Sequence, residues 1–396
     1  MLAPAAWWPS ASEPAAGIFI KEHVNAIAMD HEVVVCVVQV VKTDPGLPRI
    51  TITDAIEDGS RVLRALIRTP LRRFGMEGRL VRRAYRRMIA LCGPKGFDLM
   101  HVHVRDHITR HALSVARGLE LPVVVSEHSS FYHKGMRSLS PPEREEQRKA
   151  ISSWFNDPLV RLVMPVSRDL ATILVAEFGL AADKVLVIPN MANAVFTPAS
   201  KPTAPPFRIL LAAKWQPPKD PDTFIEALLL LDKDLRTGLH VDWVGYGPQY
   251  AGIQERCMKE LPDTDIRFPG AVDKATLADL MRKAHLFVHP TRAENLPCVI
   301  IESLSCGTPV LSMDVNGVPE LVNAGNGILV PPNAPDRLAA ALRHMLESVE
   351  GMEHMAIARQ ARERYGTEAM RQAFRSAYSR ALGYRVTTDG TETTGA

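Results

Sequence analysis

Two glutamates, Glu294 and Glu302, have the spacing in this sequence that most directly suggests ligand binding. Seven residues separate them, and among these is the apolar run at 298–301. That run predicts the first turn of a buried helix, with Glu294 in the loop before the helix and Glu302 about one turn into it. The two carboxylates could then flank one ligand without touching each other. Backbone N–H groups at the helix N-terminus between them would bind a phosphate.

A nucleotide sugar fits this arrangement chemically. One carboxylate would accept hydrogen bonds from sugar hydroxyls, the helix end would hold the diphosphate, and the other carboxylate would accept from the ribose hydroxyls. Pro297 has no N–H to offer, but in the first turn of a helix this costs nothing. Two glutamates at this spacing also arise by chance, as a loop residue and a surface-helix residue, so the spacing alone leaves both interpretations open.

The elements that must position the two glutamates form a strand–loop–helix–strand unit. An apolar segment at 286–289 predicts the first strand, and a turn follows it. Gly307 and Pro309 end the helix, and the apolar segment at 310–313 predicts the next parallel strand. Ligands of open α/β sheets bind at the carboxyl ends of the strands, which is where Glu294 would lie.

The residues around the two glutamates resemble the donor-binding signature of retaining glycosyltransferases of the GT-B fold, in the large group 1 family. The matching segments are His289-Pro290, Glu294-Asn295-Leu296-Pro297, Glu302-Ser303, Gly307-Thr308-Pro309-Val310 and Gly317-Val318-Pro319-Glu320. This resemblance implies an α/β fold of GT-B architecture, in which two Rossmann-like domains have parallel sheets facing a central cleft. It also implies transfer of a sugar from a nucleotide-diphosphate donor to a hydroxyl, with retention of configuration.

The resemblance implies a role for each of several residues. Lys214 and Lys219 stand where the family usually places an arginine and a lysine that hold the donor phosphates, and lysine at 214 keeps the charge but loses the bidentate fork. His128 would lie against the reacting sugar, and Gly17 would meet the donor phosphate or the acceptor. The predicted catalytic residues are His128, Lys214, Lys219 and Glu294, and the predicted donor-binding residues are Gly17, Val272, Glu294, Asn295, Leu296, Pro297, Cys298 and Glu302.

Structural explanations compete with these roles. Gly17 could be needed only for a turn. Two lysines near one strand end are ordinary surface residues, and a lone histidine at a strand end is more often structural. The Gly-x-Gly formed by Gly245 and Gly247 lacks the third glycine of a dinucleotide-binding fingerprint, so it adds little evidence for a nucleotide site.

A proline-rich linker at 199–206 is predicted to divide the chain into two domains, which 396 residues are enough to form. The N-terminal domain, 1–198, would bind the acceptor and would be completed by a C-terminal helix at 367–384. The C-terminal domain, 207–365, would bind the donor, and the polar, threonine-rich segment 386–396 is predicted to be disordered.

The N-terminus departs from the family pattern. Only six residues precede Trp7, too few for the full strand that the family has before the loop. Either the protein begins upstream of this sequence, or its first sheet lacks the usual central strand. The second alternative would be expected to impair activity.

From Arg61 to Lys95 the chain carries eleven basic residues and a single acidic one, Glu77. Apolar residues recur between them at helical spacing, which predicts a basic amphipathic segment. Such a surface would contact anionic membrane lipids or a lipid-linked acceptor. The alternative is a solvated helical face. A nucleic-acid partner is not expected, because no binding motif accompanies the charge.

No metal or cofactor is expected. His101 and His103 share one face of a predicted strand and are suitable zinc ligands by type, but the resembling family commonly carries His-x-His at this strand end without a metal. Asp263 and Asp265 have the Asp-x-Asp form of metal-dependent glycosyltransferases of the other fold type, yet they precede a strand. The five cysteines have no paired short spacing, which predicts neither a disulfide framework nor a cysteine zinc site.

The N-terminus lacks the basic and apolar regions of a signal peptide, and no apolar run approaches the ~20 residues that span a bilayer. A cytoplasmic enzyme, peripheral at the inner face of the membrane, is predicted. Its donor would be a UDP-sugar first and GDP-mannose second, and its acceptor a glycan or lipid-linked precursor of bacterial surface polysaccharide or glycolipid. The alternatives are a nucleotide-sugar 2-epimerase and a catalytically impaired nucleotide-sugar-binding protein of the same fold.

Overall fold

The computed structural model of the chain describes residues 1–10, 13, 15–43, 49–70, 76–93, 96–133, 135–203, 205–386 and 392–394. The chain divides into two compact units. The first comprises Met1–Pro189 with Met370–Ala396, and the second comprises Asn190–Ala369. The predicted linker at 199–206 therefore lies inside the second unit, a few residues beyond the division.

A sheet of seven described strands forms the centre of the first unit, in the order β3-β4-β2-β1-β5-β6-β7. Neighbouring strands pair in parallel except β3 and β4, which form an antiparallel hairpin. The strands are β1 (Leu2–Ala5), β2 (Val34–Thr43), β3 (Arg49–Glu57), β4 (Ser60–Pro70), β5 (Met100–His103), β6 (Val123–Glu127) and β7 (Val160–Pro165).

The strand β1 lies at the centre of this sheet, between β2 and β5. Of the two alternatives for the N-terminus, a missing central strand is therefore wrong. Leu2 is fully buried, and its N–H donates to Leu99 O at 3.1 Å. Four residues that include a proline are a weak strand signal, and pairing on both sides overrides it.

The second unit is built on a parallel sheet, in the order β10-β9-β8-β11-β12-β13 among the described residues. Trp215, Phe224 and Trp243 are fully buried in its apolar core. The strands are β8 (Phe207–Lys214), β9 (Leu239–Tyr246), β10 (Asp265–Gly270), β11 (Leu286–His289), β12 (Val310–Met313) and β13 (Gly327–Val330).

Helices pack on both sheets, and the last of them begins at the end of the second unit and lies mostly in the first. Among the residues that the structure describes, no helix is long and apolar enough to cross a membrane. The helices are α1 (Ile18–Ala28), α2 (Met76–Ala90), α3 (Ala112–Gly118), α4 (Gly135–Ser138), α5 (Pro141–Phe155), α6 (Arg168–Phe178), α7 (Pro221–Leu229), α8 (Lys233–Thr237), α9 (Tyr250–Glu260), α10 (Lys274–Lys283), α11 (Cys298–Ser305), α12 (Pro335–Ser348), α13 (His354–Tyr365) and α14 (Thr367–Leu382).

The basic segment that starts at Arg61 is not helical throughout, because β4 forms its first part and only α2 its second. Arg61 donates to both carboxylate oxygens of Asp54 on β3, at 3.0 and 2.7 Å. Arg64 does the same with Glu57, at 2.9 and 2.7 Å. The carboxylates of Asp54 and Glu57 come from β3, outside the basic segment, so the spacing of residues within that segment could not predict these ion pairs. They neutralise the charges of Arg61 and Arg64. Three of the segment's basic residues lie outside the described residues: Arg72, Arg73 and Lys95.

Part of the predicted disordered tail forms a short strand pair. The strand β14 (Tyr384–Val386) pairs antiparallel with β15 (Glu392–Thr394). Residues 387–391, 395 and 396 lie outside the described residues.

Candidate functional site

Glu294 lies in a polar cluster at the carboxyl end of β11. Its Oε1 is 3.1 Å from His289 Nε2 and 3.5 Å from Thr291 Oγ1. Lys219 Nζ donates to the same oxygen and lies 3.2 Å from His289 Nε2. The Lys219 and Glu294 side chains are each only 17% exposed. The structure therefore brings together two of the predicted site residues.

Two loops position this cluster, one after β8 and one after β11. These strands are parallel neighbours, so their carboxyl ends meet at one edge of the sheet. Asp220 N donates to Pro290 O at 3.1 Å, and Arg292 N donates to Pro218 O at 2.9 Å. The Arg292 guanidinium also donates to the buried Asp220 carboxylate at 2.9 Å. These bonds fix Lys219 opposite the Glu294 loop.

Within this cluster, Glu294 is ionised and Lys219 supplies the compensating positive charge. Burial would raise the pKa of Glu294, but the Lys219 ammonium and the hydrogen bond from His289 outweigh burial and lower it to about 2. Burial and the charge of Lys219 lower the pKa of His289, so its imidazole is neutral at pH 7. An ionised carboxylate of this kind accepts hydrogen bonds from hydroxyl groups, and the ammonium beside it attracts anions.

The helix α11 begins directly after the Glu294 loop, as the sequence predicts, with Pro297 as the residue before its first turn. Its first turn contains no acidic residue. Asn190 Nδ2 donates to Leu296 O at 2.6 Å, which fixes the segment before the helix. Glu302 is half-buried near the middle of the helix. The positive end of α11 can therefore attract an anion without competition from its own first turn.

Lys214 is the last residue of β8, the strand that pairs with β11, and its side chain is exposed. Its Nζ lies 5.9 Å from the centroid of the Tyr246 ring, a cation–π distance. Gly245 and Gly247 flank that tyrosine with φ angles of +132° and +133°. A Cβ on Gly245 would lie 1.9 Å from Ala213 O. The Gly-x-Gly therefore serves the close packing of β9 on β8.

The remaining predicted residues of the second unit also follow strand ends of this sheet. Val272 lies after β10 and is half-buried. Asn295 is buried in the loop after β11, and Cys298 is half-buried at the start of α11. Because all strands of this sheet are parallel, these positions share its carboxyl edge with Glu294. Their contacts with a donor stay predictions.

Gly17 has a structural reason to be glycine. It precedes α1 with a φ angle of +66°, which favours glycine. A Cβ there would lie 2.5 Å from the carbonyl carbon and oxygen of Trp7. The predicted contact of Gly17 with a donor phosphate or an acceptor stays a prediction.

His128, the predicted histidine of the first unit, directly follows β6. Its ring packs against Phe19 and His23, at centroid distances of 4.6 and 5.2 Å. Most of the side chain is covered, with 8% exposed. The structure thus places His128 in an aromatic environment at the carboxyl edge of the first sheet.

Glu127 holds the backbone that carries His128. Its carboxylate accepts hydrogen bonds from the N–H groups of His128 and Ser129, both at 2.9 Å. It also accepts from Arg105 N at 3.1 Å and from the Tyr132 hydroxyl at 2.9 Å. Burial raises the pKa of Glu127 to about 7, although all four donors favour the ionised form.

Sequence reasoning assigned no individual role to four residues of these two sites: His289, Thr291, Asn316 and Glu127. His289 is the last residue of β11, and Thr291 follows it by two residues. Their position at a strand end is the signal that could have identified them as site residues. Asn316 Oδ1 accepts a hydrogen bond from Glu294 N at 3.3 Å. Asn316 and Glu127 act by holding the backbone of another residue, and no spacing in the sequence marks such a role.

Two family models match the chain. The model described as "Glycosyl transferases group 1" matches residues 198–364, and "Glycosyltransferase Family 4" matches residues 16–196. The first range contains the Glu294 cluster and α11, and the second contains Gly17 and His128. Together they cover most of both structural units.

Two relatives are inositol phosphate glycosyltransferases by description. The D-inositol 3-phosphate glycosyltransferase of Streptomyces bingchenggensis is 34% identical over 317 residues, which are 74% of this chain and 69% of the relative. D-inositol 3-phosphate glycosyltransferase 1 of Catenulispora acidiphila is 30% identical over 287 residues, which are 65% of this chain and 66% of the relative. The matched part of this chain thus spans about two thirds of each relative's length.

A solved structure shares the whole fold. Anabaena HepE in complex with UDP and glucose has a TM-score of 0.70, with 18% sequence identity. The likeness covers 96% of this chain and 99% of that one. At 18% sequence identity, this likeness is evidence for a shared fold only.

Proposed function

This chain belongs to the group 1 glycosyltransferases and has their GT-B fold, and we propose that it transfers a sugar from a nucleotide-diphosphate sugar to a hydroxyl of an acceptor. The observation that carries the proposal is the ionised Glu294 beside Lys219, directly before the N-terminus of α11. A carboxylate, a cation and a helix end then lie together at one sheet edge. Hydroxyls and a diphosphate are the groups that this combination recognises.

Each residue has a role in the proposed donor complex. Glu294 accepts hydrogen bonds from hydroxyls of the donor sugar, and Glu302 accepts from those of the ribose. Lys219 and the end of α11 bind the diphosphate. Lys214, exposed at the neighbouring strand end, adds a second positive charge for the same group.

The chemical step relies on stabilisation of the leaving group. Lys219 and the α11 N-terminus stabilise the negative charge that grows on the departing nucleoside diphosphate. We propose that the configuration is retained and that the leaving phosphate takes the proton of the acceptor hydroxyl. No separate protein base and no metal ion are then needed. His128 is proposed to contact the reacting sugar.

The donor is proposed to be a UDP-sugar, with GDP-mannose as the second candidate. The support is the fold neighbour described in complex with UDP and glucose. For the acceptor, the two relatives named for D-inositol 3-phosphate make that compound the first to test. A glycan or lipid-linked precursor of a bacterial surface polysaccharide or glycolipid is the broader class, with the enzyme at the inner face of the membrane.

Donor binding and turnover test the proposal directly. Thermal shift and hydrolysis would be measured with UDP-, GDP- and ADP-sugars, with and without EDTA. One donor is expected to raise the melting temperature and to be hydrolysed slowly, with both effects unchanged by EDTA. Glu302→Ala is expected to lose the thermal shift, because the ribose would lose its acceptor. Absence of a response to every donor would contradict the proposal.

The variants Glu294→Gln and Glu255→Gln form a matched pair for this experiment. Glu294→Gln is expected to lose turnover at least about a hundredfold, because a buried charged acceptor is removed. Glu255 is exposed on α9, away from the sheet edge, and its variant should behave as the wild type. Donor binding without any turnover in the wild type would instead indicate a catalytically impaired nucleotide-sugar-binding protein.

A further inference from the structure

Three histidines of the first unit bring one ring nitrogen each within 4.8 Å of one another: His23, His103 and His128. They come from three elements, namely α1, the last position of β5 and the first residue after β6. His23 and His103 are fully buried, and His128 is 8% exposed. Buried imidazoles that converge from separate elements are the means by which proteins hold a transition-metal ion.

His103 differs from its neighbour His101 in a way that points to a ligand. The two rings are 3.9 Å apart between centroids. His101 has Nδ1 at 2.8 Å from the Tyr378 hydroxyl and Nε2 at 2.8 Å from Ser126 Oγ. Neither ring nitrogen of His103 has a hydrogen-bond partner among the described residues. A buried polar group without a partner is costly, so both ring nitrogens of His103 are open to a ligand, whereas those of His101 are already hydrogen-bonded.

One ring nitrogen of His23 is hydrogen-bonded to the backbone, and the other is available to bind a metal ion in the histidine cluster. Its Nε2 lies 3.0 Å from Pro189 O, and a carbonyl can only accept, so Nε2 carries the proton. Nδ1 then holds a lone pair, and no described residue donates to it. A backbone carbonyl that fixes the tautomer of a histidine is the usual outer partner of a metal-binding imidazole.

Both fully buried histidines are neutral at pH 7. Burial lowers the pKa of His23 to about 4 and lowers that of His103 well below its usual range. A neutral imidazole is the form that binds a metal, since protonation removes the lone pair. Ligand binding here would therefore require no loss of a proton from either residue.

We propose that His23, His103 and His128 bind one divalent transition-metal ion of the zinc class. Imidazole ligands favour Zn²⁺, Co²⁺ and Ni²⁺ over Mg²⁺ or Ca²⁺, which prefer oxygen ligands. Nitrogens at ~2.0–2.1 Å from a tetrahedral ion lie roughly 3.4 Å apart. Since the three nitrogens lie within 4.8 Å of one another, they need to approach by at most about 1.4 Å, which side-chain rotations provide. Three protein ligands leave the fourth position open to water.

The site shares one residue, His128, with the proposed function, whereas His23 and His103 have no role in that function. It lies in the first unit, whereas the Glu294 cluster lies in the second. Because Lys219, Glu294 and Glu302 take no part in the metal site, metal binding can be tested without a donor, and its failure is distinguishable from a failure of donor turnover. EDTA is expected to remove the ion and to leave the thermal shift by a nucleotide sugar in place.

The full chain without a histidine tag would be titrated with Co²⁺ and then with Zn²⁺. Visible d–d bands of tetrahedral Co²⁺ are expected to saturate at one ion per chain and to disappear on addition of Zn²⁺. X-ray absorption of the zinc protein should count three imidazole ligands. A silent titration, or a count of fewer than three imidazoles, would overturn the proposal.

The variants separate the cluster from other metal-binding groups. His103→Asn and His23→Gln are each expected to weaken Co²⁺ binding at least about a hundredfold, and His101→Asn is expected to retain it. Circular dichroism would confirm that each variant is folded. Thiolate charge-transfer bands in the near ultraviolet would mean that cysteine binds the ion, and unchanged affinity in folded His103→Asn would exclude the histidine cluster.

Discussion

Lys219 and Glu294 form an ion pair between the loops that follow two neighbouring parallel strands, β8 and β11. His289, at the end of β11, contacts both partners. Each side chain of the pair is largely covered, so neither charge is fully solvated. The pair therefore contributes both to the local fold and to the charge at the carboxyl edge of the second sheet, and both contributions can be tested with one variant.

Glu294→Gln is expected to lower the free energy of unfolding by about 1–3 kcal/mol at pH 7. The reason is that Lys219 would keep its charge in a covered site without a carboxylate partner. Urea unfolding of the wild type and the variant measures the difference. Lys214→Gln is the matched control, because Lys214 is exposed and its replacement should cost no more than about 0.5 kcal/mol. Equal losses in the two variants would show that the pair is not stabilising.

Glu127 is expected to make stability fall as the pH rises. Its pKa is about 7 in the folded chain and 4.5 as the ordinary value. Between these values the folded state binds more protons than the unfolded state, so rising pH favours unfolding. A shift of this size corresponds to about 3 kcal/mol, lost progressively between pH 4.5 and pH 7.

The measurement is the difference in unfolding free energy between the wild type and Glu127→Gln, followed from pH 4 to pH 8. Glutamine does not titrate, so the difference isolates the carboxyl group from all other groups. The wild type should lose stability relative to the variant as the pH rises. If the wild type instead gains stability relative to the variant as the pH rises, the hydrogen bonds of Glu127 lower its pKa by more than burial raises it.

The strand–loop–helix–strand unit around Glu294 could be predicted from the sequence, because its apolar segments and the residues that end its helix are local signals. Apolar segments followed by polar loops predict the strands and place Glu294 after a strand end, whereas the position of Lys219 beside Glu294 was implied by the family resemblance. The contribution of Asn316 could not be predicted, because its side chain holds the Glu294 backbone from a loop twenty-two residues away. That contact depends on the three-dimensional path of both loops.

The first unit was less predictable, because pairing between strands, and not local sequence, determines the structure of two of its strands. β1 has only four residues, including Pro4 and two alanines, and its strand conformation comes from pairing with β2 and β5. In β4, Val62, Leu63 and Ile67 suit a helical face as well as a strand. The antiparallel partner β3 decides between them by offering Asp54 and Glu57 to the arginines.

Gly17→Ala is expected to destabilise the chain by about 1–3 kcal/mol. The φ angle of +66° disfavours a side chain, and the new Cβ would lie 2.5 Å from the Trp7 carbonyl. Thermal or urea unfolding measures the loss. Gly118→Ala is the control, since nothing lies within 4 Å of its Cβ position and α3 gains helix propensity there. Wild-type stability in Gly17→Ala would show that the loop accommodates a side chain.

The exposed arginines of α2 are expected to promote binding to anionic membranes. Arg79, Arg83 and Arg86 are exposed, whereas Val81, Tyr85 and Met88 bury the opposite face of the helix. Each basic residue near an anionic surface contributes about 1 kcal/mol, so replacing three by glutamine should weaken binding to phosphatidylserine vesicles roughly a hundredfold. Vesicle sedimentation at low and high salt measures this, and binding should fall as salt screens the charges.

The matched control replaces three exposed arginines outside α2, namely Arg161, Arg337 and Arg359. The net charge changes equally in both triple variants, so a general electrostatic attraction would weaken binding to the same extent in each. A specific contact through α2 predicts a loss only in the first. Equal loss of binding in both triple variants would indicate that the arginines of α2 form only a solvated helical face. Vesicle binding that does not change with salt would contradict an electrostatic contact.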